Sequence, residues 1–151
     1  MRISNSFDIS ASALTAQRLR MDVVSSNIAN AETTRASVQN GEAVPYRRKE
    51  VVLAPNKSSF ADSLDNAMNG SNSSGINGVK AVGIEEDKEP FKLVYNPTHP
   101  DADKNGYVKM PNVDTLKEMV DMISASRSYE ANVTALNATK AMLMKAMQIG
   151  K

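Results

Sequence analysis

The sequence predicts a mainly α-helical fold with a small β-containing insertion. Long N- and C-terminal helices pair in a coiled-coil-like way, and a small irregular, β-containing middle domain separates them. Three observations predict this. Phe7, Leu14, Met21 and Ile28 recur every seven residues near the N-terminus. Met122, Tyr129, Leu136 and Leu143 repeat that spacing near the C-terminus. Between the two ladders the composition turns polar and rich in Gly and Pro. A seven-residue apolar repeat keeps one stripe on one side of a helix, so each ladder is a seam that needs a helical partner. The expected organisation is an N-terminal helix within residues 1–35, a middle domain over 36–110 and a C-terminal helix within 111–151, the two helices forming one inner helical domain.

The first helix is expected from about Asp8 to Ile28, a stretch without Gly or Pro. Ser4, Asn5 and Ser6 are suitable caps. Apolar residues occupy two faces, one carrying Phe7, Ala11, Leu14, Met21 and Ile28, the other Ile9, Ala13, Ala16, Leu19 and Val23. Apolarity on two faces points to burial against several neighbours. Asn27, Asn30, Thr33 and Thr34 read as the helix exit, with side chains bonded to nearby backbone groups.

In the middle, Tyr46 to Leu53 reads as extended, Ser58 to Met68 as a short helix, and Asn69 to Gly78 as a flexible loop with almost nothing to bury. Val79–Ile84 and Phe91–Tyr95 are strand candidates. The charged stretch Glu85–Glu89 between them suggests a hairpin. Pro97, Pro100 and Pro111 exclude helix from most of the segment that follows.

The last helix is expected from about Val113 to Gln148, with Asn112 as N-cap and Asp114 at the positive end of the dipole. Some 35 residues would span about 50 Å. One stripe is Met119, Met122, Tyr129, Val133, Leu136, Leu143 and Met147. A second, Leu116, Val120 and Ile123, fades into Arg127 and Glu130. A helix of this length outruns a shorter partner in its own chain, so its surplus apolar surface must meet other subunits. The expected subunit-interface residues are therefore Phe7, Leu14, Leu19, Met21, Ile28, Asn27, Asn30, Thr33, Met119, Met122, Tyr129, Val133, Leu136, Leu143 and Met147.

Composition narrows the function. The formal net charge is +1, which gives no electrostatic case for nucleic acid or an anionic membrane. With no cysteine, disulfides, thiolate metal sites and Cys nucleophiles are excluded together. No span approaches the roughly 20 apolar residues of a bilayer crossing. Charged residues interrupt the first thirty positions, so no cleavable secretory signal is expected. No nucleophile–base pair or carboxylate constellation stands out; no catalytic residue, metal, cofactor or small-molecule substrate is expected, and the chain reads as a non-enzyme.

Three motifs invite sharper readings. Asp101-Ala-Asp-Lys-Asn-Gly106 followed by Val108 matches the start of a calcium-binding loop, but position twelve is Asn112 where a bidentate Glu is required. A polar β-turn leading into an extended Tyr107-Val108 is the simpler reading. His99 is the single histidine and, between Thr98 and Pro100, reads as a loop residue. Arg47, Arg48 and Lys49 form the one basic cluster, expected as a solvated strand edge.

Several stretches together resemble the bacterial flagellar axial proteins. They are Ser10-Ala-Ser-Ala-Leu-Thr-Ala-Gln-Arg-Leu-Arg-Met-Asp-Val-Val-Ser-Ser-Asn-Ile-Ala-Asn-Ala-Glu-Thr-Thr34, Pro45-Tyr-Arg-Arg-Lys49, Gly106-Tyr-Val108 with Pro111-Asn-Val-Asp114, and Arg127-Ser-Tyr-Glu-Ala-Asn-Val133 followed by Asn137-Ala-Thr-Lys140. Length and motif order narrow the resemblance to the proximal-rod proteins of the basal body, and it is weakest over Asn56–Gly78. The resemblance implies a structural subunit of the tubular drive shaft that transmits torque to hook and filament. It implies other rod subunits, neighbouring basal-body proteins and the flagellar type III export apparatus as partners. It also implies an extracytoplasmic location reached without a cleaved signal peptide, and a contact with an adjacent subunit for the basic cluster. The alternative from the helices alone is a non-enzymatic adaptor gripping a partner coiled coil.

Overall fold

A computed structural model describes residues 3–39, 42–56, 64, 68 and 78–149. In chain order these form α1 (Ile3–Ala29), β1 (Ser37–Gln39), β2 (Glu42–Val44), β3 (Lys49–Pro55), β4 (Val79–Glu86), β5 (Lys92–Tyr95), β6 (Tyr107–Met110) and α2 (Thr115–Ile149). Two long terminal helices thus flank a middle region of short strand pairs, the coarse plan expected from the ladders. Helix α1 begins earlier than expected, taking in Ser4, Asn5 and Ser6. Leu64 and Met68 are helical, while the rest of the expected Ser58–Met68 helix, and the expected loop up to Asn77, lie outside the described residues.

The strands form three two-stranded sheets, β1–β2, β3–β4 and β5–β6. The first is antiparallel, in the register Ser37↔Val44 to Gln39↔Glu42. The expected hairpin between residues 79–84 and 91–95 does not form. β4 pairs with β3, and β5 pairs with β6 in the antiparallel register Lys92↔Met110 to Tyr95↔Tyr107. Two bonds beyond the β3–β4 ladder, Asn56 N–H to the Gly78 carbonyl and Asp87 N–H to the Arg48 carbonyl, fix that pair as antiparallel. Sequence proximity favoured the wrong neighbour for β4, whose partner precedes it by more than twenty residues.

The β5–β6 connection carries the polar turn expected at Asp101–Gly106. Gly106 N–H donates to the Asp103 carbonyl at 2.7 Å, and Gly106 has φ +78°. A Cβ there would also lie 2.9 Å from the Tyr95 ring, so glycine is required both for conformation and for room.

The chain divides into two compact units. One comprises Met1–Arg18, Val52–Gly83 and Arg127–Lys151; the other comprises Leu19–Val51 and Ile84–Ser126. In the first, the Ser12 hydroxyl donates to the Ile9 carbonyl at 2.7 Å and accepts from Val79 N–H at 3.1 Å, tying α1 to the start of β4. In the second, Val23, Val24, Tyr46, Val108, Val113 and Ala125 are buried.

Candidate subunit interface and the polar core behind it

In the unit formed by Leu19–Val51 and Ile84–Ser126, the end of α1 lies antiparallel to the start of α2. Arg20 pairs with Asp121 at 3.1 Å, the Ser126 hydroxyl donates to Met21 Sδ at 3.5 Å, and Asn27 donates to Glu118 at 3.0 Å. From Met21–Ser126 to Asn27–Glu118 the partner number in α2 falls as that in α1 rises, which defines the direction. The cap of α2 is Asp114, whose carboxylate accepts from Leu116 N–H at 3.0 Å. Asn112, the cap expected from sequence, is instead buried; it accepts from Arg48 N–H at 2.8 Å and donates to the Glu89 carbonyl at 3.3 Å.

Behind this helix pair lies a polar core. Glu118 is 0 % exposed. Its two oxygens accept from Arg48 Nε at 2.7 Å and Asn27 Nδ2 at 3.0 Å. Asn27 is equally buried, and its amide also donates to the Lys49 carbonyl while its oxygen accepts from Lys49 N–H and the Tyr46 hydroxyl. All the bonding capacity of that side chain is used within the unit. Arg48 further meets Asp87 at 3.2 Å, Asp121 at 4.0 Å and the Glu50 carboxylate. Burial works against the charge of Arg48, but Glu118 and Asp87 outweigh it and hold the guanidinium above its ordinary range. The Asp87 carboxyl is held low, first by the Glu89 backbone N–H and then, against its own burial, by Arg48.

The expected solvated edge at residues 47–49 is therefore corrected at its centre: Arg48 is buried and ion-paired. Nothing in composition marked Glu118 as internal. The available signal was its place seven residues before Ala125, on the side of α2 that faces inward.

The opposite side of α2 is bare. At about 100° per residue, Leu116, Val120 and Ile123 lie roughly across the helix from Glu118 and Ala125. They are 73 %, 67 % and 62 % exposed, with Met119 exposed beside them. An isolated exposed Leu needs no explanation, but a run of four large apolar residues at helical spacing is a candidate interaction surface.

The expected interface residues divide by exposure. Met119 and Met147 are exposed; Phe7, Leu14, Leu19, Met21, Ile28, Asn30, Thr33, Met122, Tyr129, Val133, Leu136 and Leu143 are half-buried; Asn27 is buried. Of the expected helix-exit group, Asn30 does bond the Ser26 carbonyl at 2.9 Å and accepts from Thr33 at 3.3 Å. Thr34 reaches farther, donating to Asp101 at 2.9 Å, while Arg35 holds the other Asp101 oxygen at 2.8 Å. The Thr34 hydroxyl first, and then Arg35, keep the Asp101 carboxyl below its usual range. Near the chain's end, Met142, Met144 and Ile149 are exposed as well as Met147. No helix among the described residues is long and apolar enough to cross a membrane.

Residues 7–36 match the family described as flagella basal body rod protein, and residues 104–149 match the flagellar basal body rod FlgEFG protein C-terminal family. The chain is 62 % identical to the flagellar basal-body rod protein FlgC of Bacillus subtilis (strain 168), over all of both chains. It is 45 % identical to the FlgC of Escherichia coli O157:H7, again over all of both. It is 44 % identical to the FlgC of Borreliella burgdorferi, over 99 % of this chain and 98 % of that one. The chain belongs to the FlgC family of flagellar basal-body rod proteins.

Proposed function

We propose that the chain works as a structural, non-enzymatic subunit of the flagellar rod and joins its neighbours through its terminal helices. The observation that carries this reading is the two-sided character of α2. One side is fixed by Glu118 and Ala125; the other offers Leu116, Met119, Val120 and Ile123 to solvent. Heterologous contacts that do not close into a ring build a helical tube, and a shaft under torque needs many such contacts. Exposed Met residues suit this role because a flexible thioether can fit neighbours in slightly different positions. The same reading extends to a place in the proximal rod, to coiled-coil-like seams at the two heptad ladders, and to export through the flagellar type III apparatus without a cleaved signal. Whole-chain relatedness to rod proteins leaves the adaptor alternative unfavoured.

Cells lacking the gene are expected to lose rod, hook and filament and to regain them with the gene. In such cells, L116D/I123D is expected to abolish swimming while the purified protein melts within about 0.5 kcal/mol of wild type, as exposed substitutions do. Normal basal bodies built by that variant would overturn the reading.

A further inference from the structure

Three consecutive cations near the start of β3 have two different fates. Arg48 turns into the polar core, where Glu118, Asp87, Glu50 and Asp121 surround it. Arg47 and Lys49, one position to either side, both line a cleft of about 570 Å³ whose walls include Ser37, Val44 and Glu86. Neither forms an ion pair with a carboxylate among the described residues. Each is steadied by an aromatic ring instead. Arg47 Cζ stands 4.7 Å from the Phe91 ring centroid, and Lys49 Nζ stands 5.6 Å from that of Tyr46. The Tyr46 ring is itself fixed, because its hydroxyl is bonded to Asn27 at 3.0 Å in the buried network. Arg47 spends one N–H on the Asp87 carbonyl at 3.2 Å.

We propose that this cleft is a docking site for a carboxylate-bearing segment of a neighbouring rod subunit. The proposal rests on the rod-subunit reading and adds the chemistry of one contact. Rings beneath the two cations hold them in place without consuming their charge. A guanidinium with one N–H engaged keeps four of its five donors, and an ammonium keeps three. Charge-assisted bonds to carboxylate are the strongest that such donors make, and prior ordering of the side chains lowers the entropy lost on docking. A polyphosphate chain fits less well. With Glu86 in the cleft wall, Arg47 and Lys49 leave a surplus of one positive charge there, which suits a single carboxylate and not a row of phosphates, and a net charge of +1 supplies no extended positive field.

The test is carbodiimide treatment of isolated basal bodies, followed by mass spectrometry. The reagent condenses an amine with a touching carboxylate, forming an amide while the water is taken up as urea. The expected product joins Lys49 to an Asp or Glu of another rod polypeptide. It should vanish in K49R, which keeps the charge and supports swimming. R47Q/K49Q should incorporate into rods about tenfold less well, equivalent to about 1.4 kcal/mol, with an unchanged melting temperature. If Lys49 stays unmodified, or joins only Glu86 of its own chain, while other lysines link between subunits, the cleft proposal fails and the rod reading stands. Absence of the chain from basal bodies would overturn both. Tight binding of a labelled single-stranded oligonucleotide by purified wild type, lost in R47Q/K49Q, would also overturn the proposal.

Discussion

At the scale of single residues, the hub is Glu118. Glu118→Gln removes the negative charge and one of the two acceptor oxygens while Arg48 remains buried. Breaking a buried pair from one side costs about 3–5 kcal/mol, so this variant should melt far below wild type. A double-mutant cycle with Arg48→Met should show strong coupling, since both singles disrupt the same contact. Additive effects would mean that the pair contributes little as a pair. Asp101 gives a pH-dependent counterpart. Its folded-state pKa lies below its unfolded value. Its contribution is therefore fully present above the unfolded pKa, about 3.9, and is lost as pH falls through the lower folded value. Thermal melts should show no effect of Asp101 ionisation between pH 7 and 5, and Asp101→Asn should flatten the limb below about pH 4. Residue roles were the least legible level of the sequence. Asn27 and Thr34 belonged to a group expected to bond locally, yet both reach partners dozens of positions away. Only tertiary placement could decide that, because a short polar side chain has the same local options whether or not a distant strand arrives.

At the scale of elements, the two long helices were legible and the strand partners were not. Heptad spacing and the absence of Gly and Pro speak for a helix directly. Strand pairing depends on which edge is nearest in space, and Val79–Ile84 carried no mark of its partner. β1 and β2 were not among the expected strands at all: at three residues each they are too short for an alternating pattern to show. One junction between elements can be tested sharply. A Cβ on Gly78 would lie 2.2 Å from the Ser12 hydroxyl and 3.4 Å from the Ile9 Cα. The hydroxyl that would be displaced is the one bonded to Val79 N–H. Gly78→Ala should therefore destabilise by about 1–3 kcal/mol, the usual range for overpacking. Adding Ser12→Ala should recover part of the loss by removing the clashing oxygen. Equal melting of Gly78→Ala and wild type would show that α1 and β4 are not held this closely.

At the scale of the whole molecule, the apolar stripes of α2 could be drawn from the sequence, but not which stripe is left bare. The heptad ladder drew attention to Met122 and Tyr129, which are half-buried, whereas Leu116, Val120 and Ile123 are more exposed. The difference follows from Glu118: a buried carboxylate rotates α2 so that its apolar second stripe faces outward. A chain ending at Ser126 keeps every segment of the unit that contains this network and removes one of the three segments of the other. Such a truncation should retain slow amide exchange at Asn27 and Glu118 and should fail to enter rods. Rapid exchange at both positions would mean that the polar core needs the rest of α2. The division of the chain has a mechanical consequence. It passes between its two units four times, at Arg18–Leu19, Val51–Val52, Gly83–Ile84 and Ser126–Arg127. Each passage lies inside α1, β3, β4 or α2 rather than in a loop. A load applied to one unit thus reaches the other through the covalent backbone at four places, as a part that turns with a shaft requires.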